Sequence, residues 1–219
     1  MQRHFDDELR DLNEKLVYMA SLVEDMFQKA IKSLLERDGE LAQEVMDLDD
    51  KVDHLEVEIE DMSIRLTVLR QPTASDLRRI MTVLHVNRQL ERMGDKAVNI
   101  AQRSIKLLAE TPVKPYVDLP KAAEIVQNMI RDTLKAYLER NSELAREVIT
   151  RDDQVDALRD QVFRDLLICM TQDPKTIRPS IEIILLFRHL ERIGDLASDI
   201  CEEVIYMVEG EIVKHQFDR

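Results

Sequence analysis

The sequence predicts an all-α protein built from two similar antiparallel three-helix bundles, with six long helices related by internal duplication. Three observations support this. The 219 residues include only four Gly, no Trp and 34% charged residues, a composition typical of helical proteins. The stretches between short breaks rich in Pro, Gly or cap residues keep an apolar period of 3.6 residues. One motif occurs twice, as QLERMGD at 89–95 and as HLERIGD at 189–195.

Other blocks of the chain recur in the same order. Leu-Glu-Arg stands at 35–37 and again at 138–140, and Asp-Asp-x-Val-Asp stands at 49–53 and again at 152–156. These two blocks are separated by 103 residues, and the seven-residue motif by 100. Because the order is kept with a net loss of three residues, the chain contains an internal duplication.

Six helices are expected between the breaks. Their approximate limits are 3–37, 40–70, 75–110, 119–140, 142–171 and 179–209. The segment 111–120 holds three of the six prolines, so we place the boundary between the repeats there, with domains at 1–112 and 118–219. In the first helix a stripe at three- and four-residue steps is expected to form core. This stripe is Leu9, Leu12, Leu16, Met19, Val23, Met26, Phe27, Ala30 and Leu34.

The net charge limits the classes of partner. With 31 Lys and Arg against 44 Asp and Glu the formal charge is −13, which disfavours nucleic acid, because a phosphate backbone requires a basic face. Cations or partners with basic patches fit better. No secretory signal is recognisable at the start, and no apolar run approaches the roughly 20 residues of a membrane span. We therefore expect a cytoplasmic protein that reaches a membrane only through partners, with Cys169 and Cys201 as reduced core thiols.

Acidic residues lie in rows at helical spacing. Residues four apart on a helix differ by about 40° around its axis, which puts Glu91 on the buried-leaning face of the third helix and Asp95 at its margin. In the second copy the corresponding row is Glu191, Asp195 and Asp199. Gly94 and Gly194 should lie on the packed side.

A second set of acidic residues lies on the preceding helix of each half. The second helix carries Asp49, Asp53 and Glu56, and the fifth carries Asp152 and Asp156, with Arg159 at the place of Glu56. If neighbouring helices pack side by side, each half brings two acidic pairs along one groove.

Like charges at this spacing repel, and two forms of compensation remain open. A cation held by carboxylate oxygens is one, and Mg²⁺, Ca²⁺, Mn²⁺ or iron suits such ligands. Ion pairing with nearby arginines is the other. Those arginines are Arg88, Arg92, Arg188 and Arg192.

No catalytic constellation accompanies these rows. The sequence has no glycine-rich phosphate loop, no His-Glu-x-x-His and no nucleophile elbow. The Glu-x-x-His step of bundle di-iron sites is also missing, which argues against a ferritin-like redox enzyme. We therefore expect a protein that is not an enzyme and has no catalytic residues.

The segments LERMGDKAVNIA at 90–101 and LERIGDLASDIC at 190–201, with the opening RHFDDEL, resemble the PhoU family, regulators of bacterial phosphate uptake. The resemblance covers essentially the whole chain. It implies a cytosolic adaptor between the ATPase of the phosphate ABC transporter and a membrane sensor histidine kinase. It also implies negative regulation of phosphate uptake and of the phosphate-starvation (Pho regulon) response.

The resemblance further implies a metal-binding role for the acidic rows, with iron as the first candidate and Mg, Mn, Ca or Zn as alternatives. Carried over by position, the ligands would be Glu91, Asp95, Asp49 and Asp53 in the first repeat, and Glu191, Asp195, Asp152, Asp156 and Asp199 in the second. Asn99 stands where the second repeat has Asp199, so the two sites need not be equal. The four arginines Arg88, Arg92, Arg188 and Arg192 are assigned to partner binding, and a homodimer is the expected assembly.

Two other readings remain open. One is a carboxylate-bridged metal-binding or storage protein, or a metalloenzyme, on a helical bundle. The other is a structural, coiled-coil-like dimeriser whose acidic pairs are solvated faces.

Overall fold

The structure, a computed structural model, describes residues 2–113, 118–211 and 213. Its helices are α1 (Gln2–Glu36), α2 (Gly39–Arg70), α3 (Ala74–Leu108), α4 (Asp118–Glu139), α5 (Ser142–Ile149), α6 (Asp152–Gln172) and α7 (Ile177–Glu209), with a 3-10 turn at Pro174–Thr176 before α7. The all-α duplicated architecture is thereby confirmed. The domain limits 1–112 and 118–219 stay predictions, because residues 114–117 and 214–219 lie outside the described residues.

The connection between the first and second helices has the same construction in both repeats. Asp38 caps α2 by accepting the backbone N–H groups of Glu40 and Leu41, and Asn141 caps α5 by accepting the N–H of Leu144. Such caps satisfy backbone donors that have no partner within the helix. The residue at the end of the preceding Leu-Glu-Arg block adopts a positive φ in both turns, 55° at Arg37 and 51° at Arg140.

The predicted apolar stripe of α1 forms core. Each of its nine members is at most 3% exposed, from Leu9 to Leu34. They belong to one contiguous core that includes residues of both repeats. Burial of such a stripe along a helix of 35 residues is what holds α1 between its neighbours.

The predicted fifth helix is interrupted. Instead of one helix at 142–171, α5 ends at Ile149 and α6 begins at Asp152, with Thr150 and Arg151 in a turn between them. The Thr150 hydroxyl donates to the Glu147 carbonyl at 2.7 Å, and the Arg151 N–H donates to the Val148 carbonyl at 3.0 Å. Both are three-residue bonds, which tighten the last turn of a helix and redirect the chain.

The two repeats pack against each other through their third helices. α3 lies along α7, and α1 also contacts α4. Within the first repeat α1, α2 and α3 contact one another, and in the second α7 contacts α4, α5 and α6. This arrangement leaves the α2–α3 and α6–α7 pairs to carry the acidic rows. Over the ranges 2–113 and 118–211, no helix is both long and apolar enough to cross a bilayer.

Candidate functional site

The predicted acidic residues gather in two places, one in each repeat. We call Asp49, Asp53, Glu91 and Asp95 the first acidic groove and Asp152, Asp156, Glu191 and Asp195 the second acidic groove. In each groove two carboxylates come from the helix before the seven-residue motif and two from the helix that carries it.

The carboxylates of the first acidic groove act on one another. Burial raises the pKa of Asp49 to about 6, with further increases from Asp53 and Asp95. Burial likewise raises the pKa of Glu91 to about 6, and Asp95 and Glu56 add to it. A raised carboxyl pKa means that the charged form is disfavoured, here by loss of water and by neighbouring negative charge.

Positive charge is scarce in the first acidic groove. All the charged neighbours that shift the pKa of Asp49 and Glu91 are other carboxylates. Of the two arginines predicted there, Arg88 opposes the raised pKa of Glu56, and Arg92 donates to the Gln89 side-chain oxygen at 2.9 Å. Of the two forms of compensation that the sequence leaves open, arginine pairing is therefore not formed in this groove, within the part of the chain that the structure describes.

The second acidic groove contains the most strongly shifted carboxyl group. Burial raises the pKa of Asp152 to about 7, and the nearby Asp195, Asp156 and Glu191 add to the increase. The Oδ1 atom of Asp152 is buried and has no hydrogen-bond partner among the described residues. An acceptor in this condition is costly unless it is protonated or meets a cation.

Arginines neutralise most of the second acidic groove. Arg159 donates through Nη1 to Glu191 and, at 2.9 Å, to Asp156. Arg192 pairs with Asp195 at 2.6 Å. Arg159 was not among the predicted site residues, although its position opposite Glu56 in the duplication was the available signal.

The remaining predicted residues lie at the edges. Asp199 accepts a hydrogen bond from Gln89 of the other repeat at 3.4 Å, so it faces the contact between α3 and α7. Arg188 is exposed and lines a cavity of about 200 Å³ together with Arg159, Phe163 and Phe187.

The donor set of the first acidic groove fits a hard cation better than the second does. Its potential ligands are carboxylate oxygens only, which Mg²⁺, Ca²⁺, Mn²⁺ and iron accept, whereas Zn²⁺ prefers nitrogen and sulfur. Over the described residues, no three carboxyl, imidazole or thiol groups converge closely enough to hold a metal in the present arrangement. A cation would have to draw these carboxylates together.

The two motif glycines have different surroundings. A Cβ atom at Gly94 would lie 3.5 Å from Val52 and 3.7 Å from Asp49 Oδ1, which is ordinary contact. At Gly194 it would lie 3.0 Å from the buried Asp152 Oδ1. The second glycine is therefore needed for close approach of α6, and the first is not needed on steric grounds.

Comparison with known proteins identifies relatives along nearly the whole chain. The family model described as PhoU domain matches twice, at residues 16–104 and 119–204. A protein of Aquifex aeolicus named phosphate-specific transport system accessory protein PhoU homolog is 44% identical over 209 residues, which is 95% of each chain. The protein of that name from Pseudomonas aeruginosa is 37% identical over 98% of this chain and 89% of its own.

Solved structures agree with the sequence matches. The crystal structure of PhoU from Pseudomonas aeruginosa superposes with a TM-score of 0.91 at 37% identity, covering 94% of this chain and 100% of that one. The phosphate transport system regulatory protein PhoU from Streptococcus pneumoniae superposes with a TM-score of 0.88 at 27% identity, covering 96% and 99%.

The glycine pair gives a matched test of the packing. Gly94→Ala should raise the free energy of unfolding by up to about 1 kcal/mol, the helix-propensity gain of Ala over Gly. Gly194→Ala should gain less or lose stability, because its methyl group presses on Asp152. Urea unfolding in chelator measures both, and equal gains would contradict the packing. Adding Asp152→Ala to Gly194→Ala should restore the gain.

The raised pKa of Asp152 makes stability depend on pH. Because the folded protein binds this proton more tightly than the unfolded chain, ionisation of Asp152 destabilises the fold increasingly as pH rises from about 4, the unfolded value, through about 7. In chelator, Asp152→Asn should therefore gain stability relative to wild type across this window and level off above it. Asp47→Asn, at an exposed position of α2, is the control. A pH-independent difference for Asp152→Asn would refute the assignment.

Proposed function

The chain belongs to the PhoU family, and we propose on this basis that it is a regulatory accessory protein of a phosphate-specific transport system. In this proposal it acts in the cytoplasm as a negative regulator of phosphate uptake and of the phosphate-starvation response. It binds the ATPase of the phosphate ABC transporter and the cytosolic region of a sensor histidine kinase, and it is not a catalyst. The support is the pair of full-repeat family matches and the relatives' shared description as accessory proteins.

Exposed apolar side chains support a role in binding other proteins. On α2 the exposed fractions are 63% for Val57, 67% for Val68 and 71% for Leu69. At the start of α3 and of α7 the matched residues Met81 and Ile181 are 41% and 46% exposed. Of these residues, Met81 and Ile181 recur at equivalent positions of the two repeats. Exposed apolar surface is typical of an interaction face, and a homodimer or a transporter subunit would cover it.

The first acidic groove is proposed to hold a cation. The observation behind this is that its four carboxylates lie together without arginine or lysine among the charges that shift Asp49 and Glu91. Asp49, Asp53, Glu91 and Asp95 would supply the oxygen ligands, to iron first and otherwise to Mg²⁺, Mn²⁺ or Ca²⁺. A bound cation would contribute positive charge that neutralises this face.

The second acidic groove is proposed to bind a cation less tightly. Arg159 and Arg192 already place positive charge on Glu191, Asp156 and Asp195, and a cation would have to displace them. In this groove the Oδ1 atom of Asp152 is buried and accepts no hydrogen bond from the described residues.

Partner binding is proposed to depend on the charge of the grooves. Arg88 and Arg188 are exposed on α3 and α7, where Arg88 acts on Glu56 and Arg188 lines a cavity with Glu191. A groove whose carboxylates are not neutralised repels acidic partners. When a cation neutralises the carboxylates, they no longer compete with an acidic partner for Arg88 and Arg188. The charge state of the groove would thus set which partner surface fits.

Elemental analysis tests the metal proposal. Protein purified without chelator should carry metal, and Glu91→Ala/Asp95→Ala should lose most of it because the first groove has no competing arginine. Glu191→Ala/Asp195→Ala should lose little. Arg159→Glu, which copies Glu56 into the second repeat, should increase the metal content.

Two outcomes would overturn this proposal. One is equal loss in both double variants, which would make the grooves equivalent. The other is wild-type protein that stays metal-free after incubation with Fe²⁺, Mn²⁺ and Mg²⁺ although its helices are folded by circular dichroism.

Binding measurements test the adaptor role. The wild-type chain should bind the purified transporter ATPase and the cytosolic region of the kinase, and Arg88→Glu/Arg188→Glu should weaken at least one affinity tenfold or more. Arg65→Glu is the control, because Arg65 is exposed on α2 and, among the described residues, pairs with Asp61 of the same helix. Metal removal should weaken partner binding more than it changes the free energy of unfolding. Failure of the wild type to bind either partner would reject the adaptor role.

A further inference from the structure

A concentration of positive charge lies where the two repeats meet, away from the acidic grooves. A cavity of about 310 Å³, which we call the junction cavity, is lined by residues of α1, α3, α4 and α7 and of the turn after α4. Its polar lining residues are Asp6, Arg10, Asn13, Arg79, Tyr137 and Arg140. Arg79 stands twelve residues before Glu91, about 18 Å along α3 at 1.5 Å per residue.

The charge of the junction cavity is opposite to that of the whole chain. Three guanidinium groups, from Arg10, Arg79 and Arg140, line it together with a single carboxylate, Asp6, in a chain of net charge −13. Asp7 and Glu14 beside Arg10, and Asp76 beside Arg79, stand outside this lining. Burial lowers the pKa of Arg79, and the neighbouring Arg140 lowers it further. Like charges held together in partial burial are unfavourable until an anion joins them.

Two of the three arginines, the half-buried Arg79 and the exposed Arg140, lack close counter-ions among the described residues. The nearest ion pair of Arg79 is with Asp76, at 3.9 Å, beyond hydrogen-bonding distance. Arg140 forms no side-chain ion pair or hydrogen bond within the described ranges. Arg10 differs, because it is 64% exposed at the rim and already pairs with Asp7 at 3.1 Å. Arg79 and Arg140 therefore keep most of their donors available.

The duplication supplies a comparison for Arg140. Arg37 holds the same position in the first repeat and has nearly the same backbone conformation, with φ of 55° against 51°. Its guanidinium donates to the carbonyls of Leu108 at 2.7 Å and Glu110 at 3.1 Å, at the end of α3. Arg37 thus satisfies carbonyl groups at the C-terminus of α3. Arg140 lines the junction cavity instead.

The wall behind the arginines is held in place. Tyr137 is 5% exposed, and its hydroxyl donates to the Asn13 side-chain oxygen of the other repeat. The amide of Asn13 donates in turn to the Leu9 carbonyl at 2.6 Å. This chain of bonds joins the repeats beside Arg79 and Arg140. The three arginines therefore reach the cavity from separate segments, α1, α3 and the turn after α4.

We propose that the junction cavity binds a phosphate-type oxyanion between Arg79 and Arg140, with Arg10 at the entrance. Guanidinium groups offer paired donors that match the several oxygens of such an anion, and the lining holds three of them against one carboxylate. The volume also admits a phosphate monoester. This site goes beyond the proposed function, and it requires neither the metal nor the protein partners.

Calorimetric titration of the full chain in chelator with inorganic phosphate tests the proposal. Wild type should bind one phosphate, and Arg79→Gln and Arg140→Gln should each weaken the affinity at least tenfold, while Arg140→Lys retains part of it. Arg65→Gln makes the same change in net charge at an exposed site of α2 and should bind as wild type does. Arg37→Gln, at the duplicated position, should also leave the affinity unchanged.

Further arms distinguish the sources and guard against misfolding. Phenyl phosphate serves as the probe for phosphate monoesters. If the wild type binds phenyl phosphate more tightly than inorganic phosphate, and Arg79→Gln loses that binding, the result supports the site with a monoester as its ligand. On wild type alone, phosphate should protect Arg79 and Arg140, but not Arg65, from phenylglyoxal. Absence of saturable binding by both ligands, affinities unchanged in both glutamine variants, or absence of protection would overturn the proposal. None of these outcomes bears on the acidic grooves.

Discussion

The contact between α3 and α7 is the constraint on which the other features depend. Each helix carries one copy of the seven-residue motif and turns part of its surface to the other repeat and part to its own. Asp49, Glu91 and Asp152 are half-buried in the acidic grooves. Desolvation rather than any single neighbour is the first cause of the raised pKa of each. The same contact places Arg79 of α3 beside the end of α4, so the junction cavity exists only because the repeats are docked.

Duplication preserved the backbone plan and allowed the charges to diverge. Glu56 in the first repeat corresponds to Arg159 in the second, and Arg159 pairs with Glu191 and Asp156 there. Arg192 adds a pair with Asp195, whereas its counterpart Arg92 bonds Gln89. Arg37 and Arg140 share a backbone conformation, but one closes a helix and the other faces a cavity. Each pair shows that the fold tolerates a change of role at an equivalent position when the backbone hydrogen bonds stay satisfied.

The sequence was sufficient for features that depend on local period and insufficient for those that depend on contacts between helices. The α1 stripe and the grouping of carboxylates follow from 3.6-residue spacing, and both are present. The break at Thr150 was missed because neither Gly nor Pro marks it, and a hydroxyl bond made within one turn is not visible in the apolar pattern. The ion pairs of Arg159 and the junction cavity depend on how the helices pack against one another, and the apolar period of the sequence does not encode that packing. The metal ligands and the partner-binding arginines stay predictions.

The division of α5 from α6 makes the two repeats unequal in local stability. An isolated helix of eight residues is far below the length at which helices persist in water, so Ser142–Ile149 is helical only while it rests on α4 and α7. Its counterpart in the first repeat belongs to one continuous helix of 32 residues. Partial opening of the fold, which proceeds through the least protected units, should therefore begin in the second repeat. Such opening would expose the start of α6, and with it Asp152, before the first repeat loosens.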